Sequence, residues 1–248
     1  MVVSRAYVQR QSQVIAGLSK SAKKTLTKRL DNLDDWDATS KALIETCKAY
    51  TDMSASITAQ YYAGIRSASK VKSKYQAQSI SGFDAEKVHG AAIAILQEAQ
   101  EGRATTSALE LLSNVANREI KNASDYCIRE NTKRDPAKPR YAIVPNGDAC
   151  AFCLMRASLG YTYGDADAAE SHNHCTCTAT PVYGNEKIEG YDPKEYEAKY
   201  NEARDALARG DVSEDLQAKI DAQKEAKGKD FDKTNAILMV MREQQGIS

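Results

Sequence analysis

Apolar side chains recur at helical spacing through the first half of the chain. Over residues 6–33 the positions Tyr7, Val14, Ile15, Leu18, Leu26, Leu30 and Leu33 do so, with Gly17 and Ser19 marking a break, and predict two short helices. Asp34 and Asp35 are suitable N-caps for a long amphipathic helix from Trp36 to about Ile65, in which Leu43, Cys47, Tyr50, Ile57 and Tyr61 follow steps of three, four and seven. Cys47 lies on that apolar stripe as a small buried hydrophobe, and Trp36 reads as a packing anchor. Residues 67–82, rich in Ser and Lys and poor in large apolar side chains, predict a mobile connection. Asp84 then caps a helix whose stripe is Val88, Ile95, Leu96 and Ala99, with Phe83 placed to staple against Val88 and Gly102 as the stop. His89, in its first turn, reads as a surface or core-edge histidine. A further helix over residues 105–130 buries Leu109, Leu112, Val115, Ala116, Ile120, Ala123 and Cys127. Residues 1–134 thus form a helical domain able to bury a bundle core.

The texture changes at Asp135-Pro136. Tyr141 to Val144 is a short extended run, Pro145 to Asp148 a turn, and Phe152, Leu154, Met155 and Leu159 predict a short helix ended by Gly160; Thr178 to Tyr183 leaves as a strand. Residues 135–184 are therefore a small α+β module. Residues 185–248 are a charged helical arm with little to bury, tipped by the apolar Ala236, Ile237, Leu238, Val240 and Met241, a pattern that suits docking on the first domain or on a neighbour. The fold class expected is mainly α: an N-terminal helical region, a zinc-stapled α+β module and a helical C-terminal arm.

Composition narrows the function. The chain has 34 basic and 34 acidic side chains, so no overall charge draws it to nucleic acid or to an anionic membrane. A basic contact has to be local, and Lys20, Lys23, Lys24, Lys28 and Arg29 are the candidate for contact with an acidic partner or a nucleic acid such as DNA, although a solvated helix face is the commoner meaning of such a run. No apolar stretch approaches signal-peptide or membrane-spanning length, which predicts a protein made in a reducing cytosol and not membrane-bound. Tyrosine outnumbers the other aromatics, 13 against 3 Phe and 1 Trp, as suits half-wet assembly surfaces.

Candidate chemistry is concentrated between Cys150 and Cys177. Four of the six cysteines and two of the three histidines fall there, as Cys150-Ala-Phe-Cys153 and His172-Asn-His174-Cys175-Thr-Cys177. Thiolate and imidazole are the donors zinc prefers, and a structural site takes four of them from two short hooks. Six donors compete for four places. The matching two-residue spacing favours Cys150, Cys153, His172 and Cys175, with Cys177 as the leading substitute and His174 behind it. A module this small cannot bury enough apolar surface alone, so the metal would supply much of its folding free energy. Disulfides would suit an oxidising compartment, and a thioredoxin-like motif would leave the second hook unexplained. A zinc deaminase needs His-x-Glu and Pro-Cys-x-x-Cys, but Ala149 precedes Cys150 and Gly90-Ala91 follow His89. A zinc nuclease would need a second unsaturated metal or a His base beside the hook. A nucleic-acid-binding zinc module would carry Lys and Arg there, yet Arg156 is the one basic residue between the hooks, against Asp165, Asp167 and Glu170. No catalytic residue is identified.

Several runs together carry a resemblance: residues 116–120 (Ala-Asn-Arg-Glu-Ile), Tyr141 to Pro145, Cys150 to Met155, Ser158-Leu-Gly160-Tyr-Thr-Tyr163, His172-x-x-Cys175-x-Cys177 and Pro181-Val-Tyr183. The middle third of the chain resembles tailed-phage minor capsid proteins of the MuF-like, head-morphogenesis type. The resemblance implies a non-enzymatic virion protein, assembled in the host bacterial cytoplasm, with other capsid or portal proteins as partners and Cys150, Cys153, His172, Cys175 and Cys177 as the metal-type residues. His174 is an extra donor, and Leu159 stands where such proteins commonly have Arg.

Overall fold

The computed structural model of the chain describes residues 2–30, 33–147, 149–161 and 177–246. Strand β1 (Val2–Val3) leads into helix α1 (Arg5–Arg29), followed by α2 (Trp36–Ala68), α3 (Ala85–Gln100) and α4 (Ala108–Arg134). Asp35 caps α2 by accepting from the Ala38 amide, Asp84 caps α3 through Glu86 and Lys87, and Ser107 caps α4 through Glu110. The caps and stripes expected for α2 and α3 are present, and Phe83 and Val88 share one apolar cluster as a staple requires.

The direction of each helix follows from its polar contacts. Ser54, Thr58 and Tyr62 of α2 meet Ile120, Ser124 and Asn131 of α4, so the two helices run parallel. Gln11, Thr25 and Arg29 of α1 meet Thr58, Tyr50 and Thr46, so α1 lies antiparallel to α2. Parallel neighbours need a return path. Residues 71–83 run back along α2 and α4 in extended form, and α3 completes the return, so α4 begins beside the first turns of α2.

Two expectations are corrected here. Residues 6–33 do not form two helices: α1 is continuous through Gly17, because Ile15, Leu18, Ala22 and Leu26 bury one unbroken stripe on both sides of it. The glycine is exposed, and a Cβ there would meet nothing within 4 Å. Nor are residues 67–82 a loose connection: α2 continues to Ala68, and the extended strap after it is held by side chains. Asn131 Nδ2 donates to the Gln78 carbonyl (2.9 Å) and its Oδ1 accepts from the Gln78 amide (2.7 Å) and from Tyr75 Oη (2.8 Å). Ser81 donates to Asp52 (3.0 Å) at the other end.

Strand β2 (Arg140–Val144) pairs antiparallel with β3 (Thr178–Val182), with Arg140 opposite Val182 and Val144 opposite Thr178. Helix α5 (Ala151–Ser158) follows β2, and β4 (Lys187–Ile188) pairs in parallel with β1. Both the strands and the short helix match the sequence reading of residues 141–183, whereas the two-residue β1–β4 pair leaves too little pattern to be anticipated.

Helices α6 (Pro193–Arg209), α7 (Glu214–Lys227) and α8 (Lys233–Gln245) complete the chain. They bury more than their charge suggests. Tyr191 Oη donates to the Ala157 carbonyl (2.7 Å), Tyr191 meets Tyr161 edge-on with centroids 5.4 Å apart, and Ala203, Ala206, Ile237, Leu238, Val240 and Met241 are buried. The apolar tip therefore docks within its own chain, against the α5–α6 side. One apolar cluster joins Val8 of α1, Tyr61, Tyr62 and Ile65 of α2, Ile128 of α4, strands β2 and β3, α5 and the C-terminal helices. The architecture is mainly helical, with two short sheets among the described residues.

Because Gly17 sits in an exposed helix interior with open space around it, Gly17→Ala should raise unfolding free energy by about 0.5–1 kcal/mol in a denaturant titration. A two-helix arrangement with Gly17 in a turn would instead make alanine neutral or harmful.

Candidate metal centre

Of the five residues expected to bind metal, Cys150, Cys153 and Cys177 lie within the described residues; His172, Cys175 and the extra donor His174 lie outside them. Cys150 is the N-cap of α5 and Cys153 is in its first turn. The two cysteines of the first hook thus stand at the N-cap and third position of one helix. The N-terminus of a helix also favours negative charge, which suits anionic sulfur. Cys153 and Cys177 are buried and Cys150 is half-buried.

Cys177 directly precedes β3, and Cys150 follows β2 by six positions. Because Val144 and Thr178 are register partners, the chain leaves and returns at the same end of the two-stranded sheet. Among the described residues, however, no group of three or more His, Cys, Asp or Glu is placed to hold a metal ion. Cys150, Cys153 and Cys177 therefore do not by themselves form a ligand triad.

Next to this module lies a polar centre that sequence reasoning missed. The carboxylate of Asp135 is fully buried at the end of α4 and accepts from Arg66 Nε (2.9 Å), Tyr183 Oη (3.0 Å), Tyr62 Oη (3.1 Å) and the Ala137 amide (2.9 Å). Arg66 Nη2 also donates to the Ser73 hydroxyl (2.8 Å) and carbonyl, so the same pair anchors the strap. Burial alone would raise the Asp135 pKa. The Arg66 hydrogen bond, the Ala137 amide, the Tyr183 hydroxyl and the guanidinium charge outweigh it and hold the carboxyl below its ordinary value. Burial, together with the carboxylate, pushes the Tyr62 and Tyr183 hydroxyls well above the ordinary tyrosine range, so both stay protonated donors. Asp135-Pro136 reads in sequence as a helix stop, and nothing local says that the carboxylate is buried; the available signal was Arg66 on the apolar side of α2.

Cys47 is fully buried among Leu43, Val88 and Leu112, and burial pushes its thiol up to about 12. His89 is exposed, with Nδ1 2.7 Å from Ser40 Oγ. In the basic run of α1, Lys23 pairs with Glu110 (2.5 Å) and Arg29 with Glu45, which leaves Lys20, Lys24 and Lys28 as the cations of the run without an ion-pair partner among the described residues. No helix among the described residues is long and apolar enough to cross a membrane.

The family model described as VG15 protein matches residues 2–203, so the match takes in every element from β1 to the middle of α6. No curated protein and no solved structure matches the chain. A match of this extent shows the family: the chain belongs to the VG15 protein family, a family of viral, phage type.

The buried pair predicts a sensitive variant. Asp135→Ala leaves Arg66 and two tyrosine hydroxyls without their acceptor and should cost about 3–5 kcal/mol of stability in chemical denaturation. The Asp135 pKa is lower folded than unfolded. Its contribution should thus be fully present above the unfolded carboxylate value of about 3.9 and be lost as pH falls through the lower folded value. An Asp135→Ala protein as stable as the parent at neutral pH would refute this account.

Proposed function

We propose that this member of the VG15 protein family is a structural, non-enzymatic minor component of a tailed-phage or prophage head, acting in head morphogenesis beside capsid or portal proteins and residing in the virion. The observation that carries the reading is the β2–α5–β3 module with its Cys150/Cys153 hook at the start of α5, bound into one core with a long-helix scaffold. Its sequence runs are those that resemble the MuF-like proteins, and the family match supports a phage setting. A rigid helical body with a small module on one end, and an arm folded back on that module, suits a part that is assembled rather than one that turns over substrate.

The module holds a structural zinc ion in this reading. Cys150 and Cys153 supply the first hook, and the second comes from the run His172 to Cys177. The matching two-residue spacing of the two hooks favours the set Cys150, Cys153, His172 and Cys175, with Cys177 as the leading substitute. Zinc bound there ties the start of α5 to the chain just before β3. A zinc nuclease reading has less support, because the one described histidine, His89, lies on α3 and pairs with Ser40.

Metal content of the purified full chain tests the site. Near-stoichiometric zinc should be present in the parent and in Cys177→Ser and His174→Ala, and lost in Cys150→Ser, Cys153→Ser, His172→Ala and Cys175→Ser. Chelation of the parent should lower its melting temperature. A parent free of zinc, or a Cys177→Ser protein that alone loses it, would overturn the proposed ligand set. For the virion assignment, the expected result is the protein in purified particles at low copy; particles that lack it would exclude the role.

A further inference from the structure

The strap and the α4–β2 connection form one further surface, distinguished by its charge. No Asp or Glu occurs between Asp52 and Asp84, or between Asp135 and Asp148, while these stretches carry Arg66, Lys70, Lys72, Lys74, Lys138 and Arg140. In a chain of zero net charge this is a strong local segregation. The fold then brings the two stretches together. Arg66 donates to Ser73, which lies between Lys72 and Lys74, and also to Asp135, whose other oxygen accepts from Ala137, the neighbour of Lys138. Both lysine-bearing segments are thus fastened to opposite sides of one buried ion pair.

The strap presents its cations outward. Val71, Ser73, Tyr75 and Ala77 are half-buried, whereas Lys72 and Lys74 are exposed, as alternation in extended chain requires. Lys70, Lys138 and Arg140 are exposed as well. None of these five takes part in an ion pair among the described residues; Arg140 Nη2 donates to the Gly184 carbonyl (3.1 Å). The carboxylate at the rim, Glu186, accepts from Ser69 Oγ (2.8 Å).

A second observation is independent of charge. Among the described residues, Lys70 (φ 51°) and Lys138 (φ 50°) are the non-glycine residues with left-handed backbone, a conformation that glycine or asparagine adopts with less strain. Both positions are lysines, both belong to this face, and strained residues of this kind gather at functional surfaces.

We propose that Lys70, Lys72, Lys74, Lys138 and Arg140 form a binding surface for the phosphate backbone of duplex DNA, without sequence preference. Lysines at alternate positions of extended chain stand about 6.6 Å apart, a regular row against a regularly charged rod. Tyr75 points inward to Asn131, and no aromatic side chain stands between the lysines to stack exposed bases, so a single strand has no platform here. An acidic peptide would want apolar pockets between the charges, and the outward side of the strap offers lysine and glutamine. The proposal goes beyond the structural role above and needs neither the zinc site nor a place in a head. It also differs from the α1 run, two of whose cations already face Glu110 and Glu45.

The test is fluorescence anisotropy of a labelled duplex of fixed length with the purified full-length protein across a salt series. The parent should bind with a steep salt dependence, and each cation removed should lower the slope of log K against log salt by about 0.9. Lys72→Gln/Lys74→Gln and Lys70→Gly/Lys138→Gly should each weaken binding about tenfold or more at low salt. The glycine pair should meanwhile melt at the same temperature as the parent or higher, because it relaxes two left-handed lysines; a merely structural role would give the opposite. If the glycine pair fails to fold, the glutamine pair still decides. The proposal is overturned if the parent does not bind DNA, if both pairs leave affinity and slope unchanged, if Lys20→Gln/Lys24→Gln/Lys28→Gln alone abolishes binding, or if poly-glutamate competes as well as DNA at equal charge. The last result would assign the face to an acidic protein. Loss of zinc in the ligand variants with DNA binding intact would separate the two readings.

Discussion

The buried Arg66–Asp135 pair is the constraint on which the rest of the structure depends. A carboxylate with no solvent exposure is costly unless its oxygens are filled, and here four donor groups come from three separate places: α2 supplies Arg66 and Tyr62, the α4–β2 connection supplies the Ala137 amide, and the end of β3 supplies Tyr183. The guanidinium in turn holds the strap at Ser73. Parallel packing of α2 and α4 is what allows this, since it brings both C-terminal ends to one place. A buried pair of this kind adds little net stability over an apolar substitute, but it tolerates one register. If α4 slipped by a turn, Asp135 would leave Arg66 and two tyrosines unsatisfied at once.

The helices were legible because each buries one stripe. Where an element buries a side and exposes a side, the period shows in sequence, and α2, α3 and the caps Asp35 and Asp84 follow it closely. The break expected at Gly17 rested on propensity alone. A glycine weakens a helix by less than burial of Ile15, Leu18, Ala22 and Leu26 on both sides stabilises it, so α1 runs through.

The strap and the packing of α6 were illegible for a different reason. Residues 71–83 have no regular hydrogen-bonding partner of their own, so no local pattern marks them as ordered. Their backbone is satisfied by Asn131 from 53 positions away and by Arg66. In α6 the buried side chains are few and small, Ala203 and Ala206, whereas α8 buries the apolar tip Ala236, Ile237, Leu238, Val240 and Met241 that its sequence displays. Alanine carries little hydrophobic signal in sequence, yet it permits close helix approach, and Tyr191, Tyr196 and Tyr200 fill the space around α5 that the alanines leave. At the candidate metal site, the Cys150-x-x-Cys153 spacing was readable because both residues fall at the start of one helix. The place of Cys177 was not, since it depends on where β3 begins.

This packing alters what a zinc ion would have to do. A module cut out at residues 135–184 would lack a core, and a metal would be asked for much of its folding free energy. In the whole chain the apolar side of β2 and β3 is already covered: Tyr61 of α2 reaches Thr180 at 3.0 Å, Ile128 and Val8 join the same cluster, and α6 and α8 close the other side over α5. Burial by the scaffold supports the strands, and the Asp135 centre fixes their register through Tyr183. The first hook stands at the start of α5, and Cys177 of the second directly precedes β3. Metal there would act on the excursion between the strands rather than on the strands themselves. Its loss would then loosen one end of the molecule and leave the helical body and the basic strap face standing.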